Sequence, residues 1–150
     1  MKRALAVSLG LVAWTGSGAV RPAVADGGFR VIVASTSAVS EIKREELARI
    51  FLKKQTRWKD GKEVSPVDQS ARSSVRAAFS REVLAAEGLD KISAVENYWR
   101  QQIYSGRGNP PAVKTSDDEV RRFVAATPGA IGYVSEDSEL AGVKAVRLQD

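Results

Sequence analysis

Apolar and polar positions along the chain switch between two periods. FRVIVAS, Phe29 to Ser35, is nearly continuous in Val, Ile and other apolar residues, which predicts a strand buried on both faces. REELARIFLKK turns helical, with Leu47, Ile50 and Phe51 on one stripe. Glu45 and Glu46 fall in its first turn and Lys53 and Lys54 in its last, as the helix dipole prefers. Its cap position holds Lys43, a poor N-cap. An Asp60-Gly61 turn then leads to EVSPV, Glu63 to Val67, a short strand weakened by Pro66.

A second helix starts near Ser73, with Val75, Ala78, Phe79 and Val83 on one face. A third, about Ile92 to Tyr104, carries Ile92, Val95, Trp99 and Ile103 at helical spacing. SGRGNPPAVKT, Ser105 to Thr115, is loop by composition. The fourth helix has the clearest start: Ser116 with Glu119 forms a capping box, and Asp117 and Asp118 sit at the positive end. Val120, Phe123 and Val124 face inward, and Pro128-Gly129 ends the helix. AIGYV and VKAVRL complete the pattern as strands. The order β-α-β-α-α-α-β-β predicts an α/β or α+β domain around one small sheet, with Leu47, Phe51, Phe79, Trp99, Phe123 and Ile131 in one core.

The first residues belong to another category. Lys2 and Arg3, an apolar run from Ala4 to Trp14, and Ala-Val-Ala at positions 23–25 have the three regions of a secretory signal peptide. Residues 1–25 are therefore expected to be removed, leaving a domain over 26–150 that begins at or near Asp26 and keeps no stable membrane insertion. The apolar run is too short to span a bilayer, which takes about 20 residues. Export changes the charge balance too. Three of the 23 Lys and Arg leave with the signal, so 20 remain against 18 Asp and Glu. That near-neutral balance argues against a nucleic-acid partner. The chain has no Cys and no His, which rules out the usual zinc and copper ligand sets, a Ser-His-Asp triad and a disulfide framework. No metal, cofactor or catalytic residue is expected.

One stretch offers chemistry. Ser73 and Ser74 open a helix whose first N–H groups, including that of Val75, are free at the positive end of the dipole, and Arg72 and Arg76 flank it. Arg has the wrong sign for a helix start, so a bound anion would relieve the conflict. An ordinary Ser cap with solvated arginines accounts for the same local pattern. GRGNPP lacks the residues and the following helix of a phosphate loop. Trp58, Tyr98 and Trp99 read as core or interface residues, and the acid pairs as helix-start acids.

Taken together, several segments resemble the phosphate-type substrate-binding proteins of ABC transporters, in the type II periplasmic binding protein superfamily. The most specific is TPGAIGYV, Thr127 to Val134. REELARIFLKKQTRWKDG, the Ser-initiated helix ending AAFSREVL, and YW…SGRGNPP, Tyr98 to Pro111, support it. The resemblance implies an α/β fold: a single lobe with a small mixed sheet flanked by helices. It also implies a periplasmic location, a phosphate-like small anion as ligand, and an ABC transporter membrane component or another protein as partner. In an alignment on Phe79, the family's anion loop keeps its Ser at Ser73, while its Gly, two Thr and Arg fall on Ser74, Val75, Arg76 and Gln69. The Ser73 hydroxyl and the helix N–H groups carry over from the family; with the flanking arginines of the local pattern, the candidate ligand-binding residues are Ser73, Ser74, Val75, Arg72 and Arg76. The expected function is weak, non-catalytic anion binding, with a ligand-free interaction or sensory accessory module on the same fold as the alternative.

Overall fold

Six strands and four α-helices account for most of residues 28–150, which the computed structural model describes; the signal-peptide segment expected over 1–25 lies outside the described residues. The strands are β1 (Phe29–Ala34), β2 (Glu41–Lys43), β3 (Ser65–Gln69), β4 (Ala112–Lys114), β5 (Ala130–Ser135) and β6 (Val143–Gln149). The helices are α1 (Arg44–Phe51), α2 (Ser74–Glu82), α3 (Ile92–Tyr104) and α4 (Asp117–Ala126), with a 3₁₀ turn at Leu84–Glu87.

The strands form one mixed sheet in the order β2-β6-β1-β5-β3-β4. Central β1 runs antiparallel to both neighbours, with Val31 opposite Tyr133 of β5 and Val146 of β6. β3 runs parallel to β5 and β4, and β2 parallel to β6. Pro66 lies opposite Ile131 of β5, and pairing of β3 with β4 begins only after it, at Val67, so the missing N–H falls ahead of the β4 ladder.

Strand alternation divides the apolar residues between two faces. Val31, Val33, Ile131 and Tyr133 pack with Leu47, Phe51, Phe79, Val95 and Trp99 from α1, α2 and α3. Ile32, Val67, Ala130 and Val134 pack with Val120 and Val124 of α4. The expected single core is thus two clusters separated by the sheet. Phe123 is only half-buried and joins the α4 side, beneath the Lys114 ammonium at 5.3 Å.

Other expectations shift for local reasons. α1 ends at Phe51, and Lys53 takes the left-handed conformation at φ 53°, so Lys53 and Lys54 lie beyond the helix. Ile103, placed on the inner stripe of α3, is 54% exposed because the last turn runs past the core. The segment read wholly as loop contains β4, a parallel edge strand beside β3. β2 also went unpredicted: a three-residue strand is too short to display a period. The capping box at α4 is half-formed. Ser116 Oγ accepts the Glu119 N–H at 3.2 Å, while the Glu119 carboxylate takes the N–H and hydroxyl of Thr115.

Candidate functional site

Parallel β3, β4 and β5 end on the same edge of the sheet, at Gln69, Lys114 and Ser135. α2 starts just beyond β3 and α4 just beyond β4, so two helix N-termini open side by side. Between them lies an open cavity of about 600 Å³ lined by Gln69, Ser70, Arg72, Ser73, Ser74, Val75, Thr115, Ser116 and Asp117. The two openings differ in charge. α4 carries Asp117, Asp118 and Glu119 in its first turn, whereas α2 carries no acid there. The chain's own carboxylates already face the α4 dipole, and that of α2 is left to its surroundings.

The structure brings Arg72, Ser73, Ser74 and Val75 to this cavity and turns Arg76 away from it. Ser73 is the N-cap of α2, its Oγ accepting the Arg76 N–H at 3.2 Å. Ser74 and Val75 are the first two helical residues, whose N–H groups have no acceptor within the helix. Arg72 is exposed and, among the described residues, makes no ion pair.

Arg76 is 8% exposed, its Nε 3.5 Å from Oδ2 of Asp68, which is 7% exposed. Arg76 is thus paired inside the fold with Asp68, an outcome the residue pattern did not reveal. Tyr133 donates its hydroxyl proton to Asp68 Oδ1, and the Gln69 N–H donates to the same oxygen at 2.8 Å. Burial raises the Asp68 pKa above its ordinary value, although Arg76 and these two hydrogen bonds pull the other way. Burial beside Asp68 also lifts the Tyr133 hydroxyl well above its usual range. The Tyr133 ring stacks on Phe79 with centroids 4.0 Å apart, which fixes the network against the core.

Gln69 connects this buried unit to the cavity. Its Nε2 donates to the Tyr133 carbonyl at 2.9 Å and to Asp117 Oδ1 at 2.8 Å, while its Oε1 accepts the Ser73 hydroxyl proton at 2.7 Å. Asp117 Oδ2 accepts from Ser135 Oγ at 2.6 Å and Ser138 Oγ at 2.8 Å. Partial burial pushes the Asp117 pKa up, but the hydrogen bonds from Ser135, Ser138 and Gln69 prevail and hold it below the ordinary value. Asp117 is therefore an ionised carboxylate on the cavity wall at neutral pH. Sequence reasoning took it as a helix-start acid and missed Asp68 and the Gln69 amide. A signal for Asp68 existed: an acid near the end of a short strand, followed by an Arg in the next helix's first turn.

A second cavity, about 560 Å³, lies where β1 ends and β5 begins, with Val39, Glu46, Trp58, Lys59 and Pro128 in its wall. Trp58 is half-buried there, its indole N–H donating to the Gly129 carbonyl at 3.1 Å. Trp99 is in the core, and Tyr98 is half-buried with its hydroxyl on the Leu52 carbonyl. Among the described residues no Asp/Glu group is arranged to hold a metal ion, and no helix is long and apolar enough to cross a membrane.

Comparison with solved structures gives the fold a family context. An ABC-type phosphate transport receptor from Vibrio cholerae superposes with a TM-score of 0.60 at 21% identity, covering 81% of this chain and 46% of that one. A Clostridium perfringens protein solved with bound phosphate gives 0.62 at 21% identity, covering 81% and 44%. PstS from Borrelia burgdorferi gives 0.62 at 16% identity, covering 82% and 47%. The chain thus spans less than half the length of each. Comparison with curated proteins finds no match. A family model described as a PBP superfamily domain matches residues 6–147, and the chain belongs to that family, with the fold of one periplasmic binding protein lobe.

Proposed function

We propose that the chain is an exported, non-catalytic solute-binding lobe that takes a small oxyanion weakly at the opening of α2. The observation that carries this reading is the acid-free N-terminus of α2. The N–H groups of Ser74 and Val75 and the exposed Arg72 meet there in one cavity, in a fold shared with a protein solved with phosphate bound.

The affinity follows from the count of donors. Two charge-assisted N–H bonds contribute about 1.5–3 kcal/mol each, and an exposed guanidinium about 1 kcal/mol or less. Association costs about 4 kcal/mol or more. The net corresponds to millimolar binding or weaker. Equilibrium titration with phosphate and sulfate tests the reading, with Arg72→Glu as the control. Wild type should bind in the millimolar range and Arg72→Glu several-fold more weakly, and more salt should weaken both. No binding at about ten times the expected constant would defeat the proposal.

Three features support a second reading, in which the fold serves as an interaction or sensory accessory module without a ligand. Arg76 is spent on Asp68, the Ser73 proton is spent on Gln69, and Asp117 places negative charge on the wall. An ABC transporter membrane component is the proposed partner under the first reading, and another protein under the second.

A further inference from the structure

We infer that Gln69 sets the hydrogen-bond polarity of the α2 cavity by drawing the only proton of Ser73 inward, so that Ser73 meets a ligand as an acceptor. The inference rests on the reading of this cavity as an oxyanion site and says which groups that site offers.

Its basis is a chain of forced directions. Gln69 is 3% exposed, and its Nε2 lies 2.9 Å from the Tyr133 carbonyl oxygen and 2.8 Å from Asp117 Oδ1. A carbonyl only accepts hydrogen bonds, and an ionised carboxylate only accepts. Asp117 is held ionised by its serine partners and by Gln69 itself. Turning the amide around would press its oxygen against two acceptors, so the orientation is fixed with Oε1 toward Ser73. Oε1 also only accepts. Ser73 must therefore give its one proton across the 2.7 Å contact. One lone pair of Ser73 Oγ receives the Arg76 N–H at 3.2 Å, and the other is what remains for the cavity.

The cavity is consequently two-sided. Ser73 Oγ and the Asp117 carboxylate offer acceptors, while the Ser74 and Val75 N–H groups and Arg72 offer donors. An oxyanion without a proton finds one donor fewer than a Ser-capped helix would otherwise present. Gln69 acts here as a positioning residue, through Ser73.

Two measurements test this. The first needs no ligand: the side-chain amide signals of Gln69 in nitrogen-edited NMR of the intact protein. Both Nε2 protons should be protected from solvent exchange, and their shifts should follow Asp117 as it protonates in acid, a response lost in Asp117→Asn. Solvent-like exchange, or a response unchanged in Asp117→Asn, would overturn the inference.

The second uses sulfate, which has no proton at neutral pH, with wild type, Ser73→Gly, Gln69→Met and the double variant. Glycine is chosen because it is tolerated at an N-cap. Ser73→Gly alone should change the sulfate constant by less than about two-fold, while Gln69→Met should tighten it by about three- to ten-fold by releasing the Ser73 proton. The double variant should lose that gain. An equal weakening by Ser73→Gly in both backgrounds would show that Ser73 already donates to the ligand, and the inference would fall. If none of the four proteins bound sulfate or phosphate, the oxyanion reading would fail, while the amide signals would still decide the role of Gln69. Should Gln69→Met not fold, the wild-type amide and the Ser73→Gly comparison remain decisive.

Discussion

Gly132 shows how closely one residue ties α4 to the sheet. A Cβ at this position would lie 2.8 Å from both Val120 Cγ1 and Val67 Cγ1, and 3.2 Å from Val124 Cγ2. Gly132→Ala should therefore cost about 1–3 kcal/mol through overpacking, measured by chemical denaturation. A negligible loss would mean that α4 does not dock this tightly. Gly129, at φ 81°, has a different reason: it turns the chain after Pro128, and a Cβ there would run into the Glu63 carbonyl. Together the two glycines explain why Thr127-Pro-Gly-Ala-Ile-Gly-Tyr-Val reads so plainly as a helix end followed by a core strand. Asp68 is the other residue with a large expected effect. Asp68→Ala leaves Arg76 buried and unpaired, which should destabilise the fold by about 3–5 kcal/mol. A loss below about 1 kcal/mol, the scale of an exposed pair, would show that Arg76 finds solvent. For the same reason, reversing the charge of Arg76 would test the fold and not the ligand site, contrary to the expectation from sequence.

At the scale of elements, the two helices beside the cavity answer differently to acid. Asp117 has its pKa lowered in the fold from the ordinary 3.8, so its stabilisation is present above that value and lost as pH falls through the folded one. Asp118 and Glu119 in the same turn are also lowered, by Arg121 and by Thr115 respectively. Asp68, beneath α2, is raised by burial. Its sign is opposite: folding favours its protonated form, and stability is lost as pH rises through the raised value. Thermal melts taken downward from neutral pH should therefore pass through a maximum before an acid decline, and Asp117→Asn should shallow that decline. An unchanged decline in Asp117→Asn would contradict the assignment. Elements of this kind were largely legible in the sequence. α3 and the start of α4 were placed from spacing and caps, because an amphipathic stripe and a Ser cap are written in neighbouring residues. β2 and β4 were not, since three-residue strands exist by pairing with β6 and β3, which no local pattern records. The same limit governs the site. The Ser73 cap was local and legible, whereas the Arg76–Asp68 pair and the Gln69 bridge depend on which strand end meets which helix.

For the whole molecule, the central fact is an open edge. The cavity sits where parallel strands end and two helices begin, the usual place for a ligand in an open α/β sheet, and the described residues form the one lobe that lines it. The chain spans less than half the length of the phosphate-transport structures it resembles, and the proposed oxyanion reading gives the α2 opening millimolar affinity or weaker. The most direct test of that account is a phosphate titration followed at every backbone amide by NMR. The account predicts saturable shifts with a millimolar constant, largest at the N–H groups of Ser74 and Val75 and much reduced in Arg72→Glu. Unmoved Ser74 and Val75 signals, or shifts centred instead on the Trp58 cavity at the other end of the sheet, would contradict it.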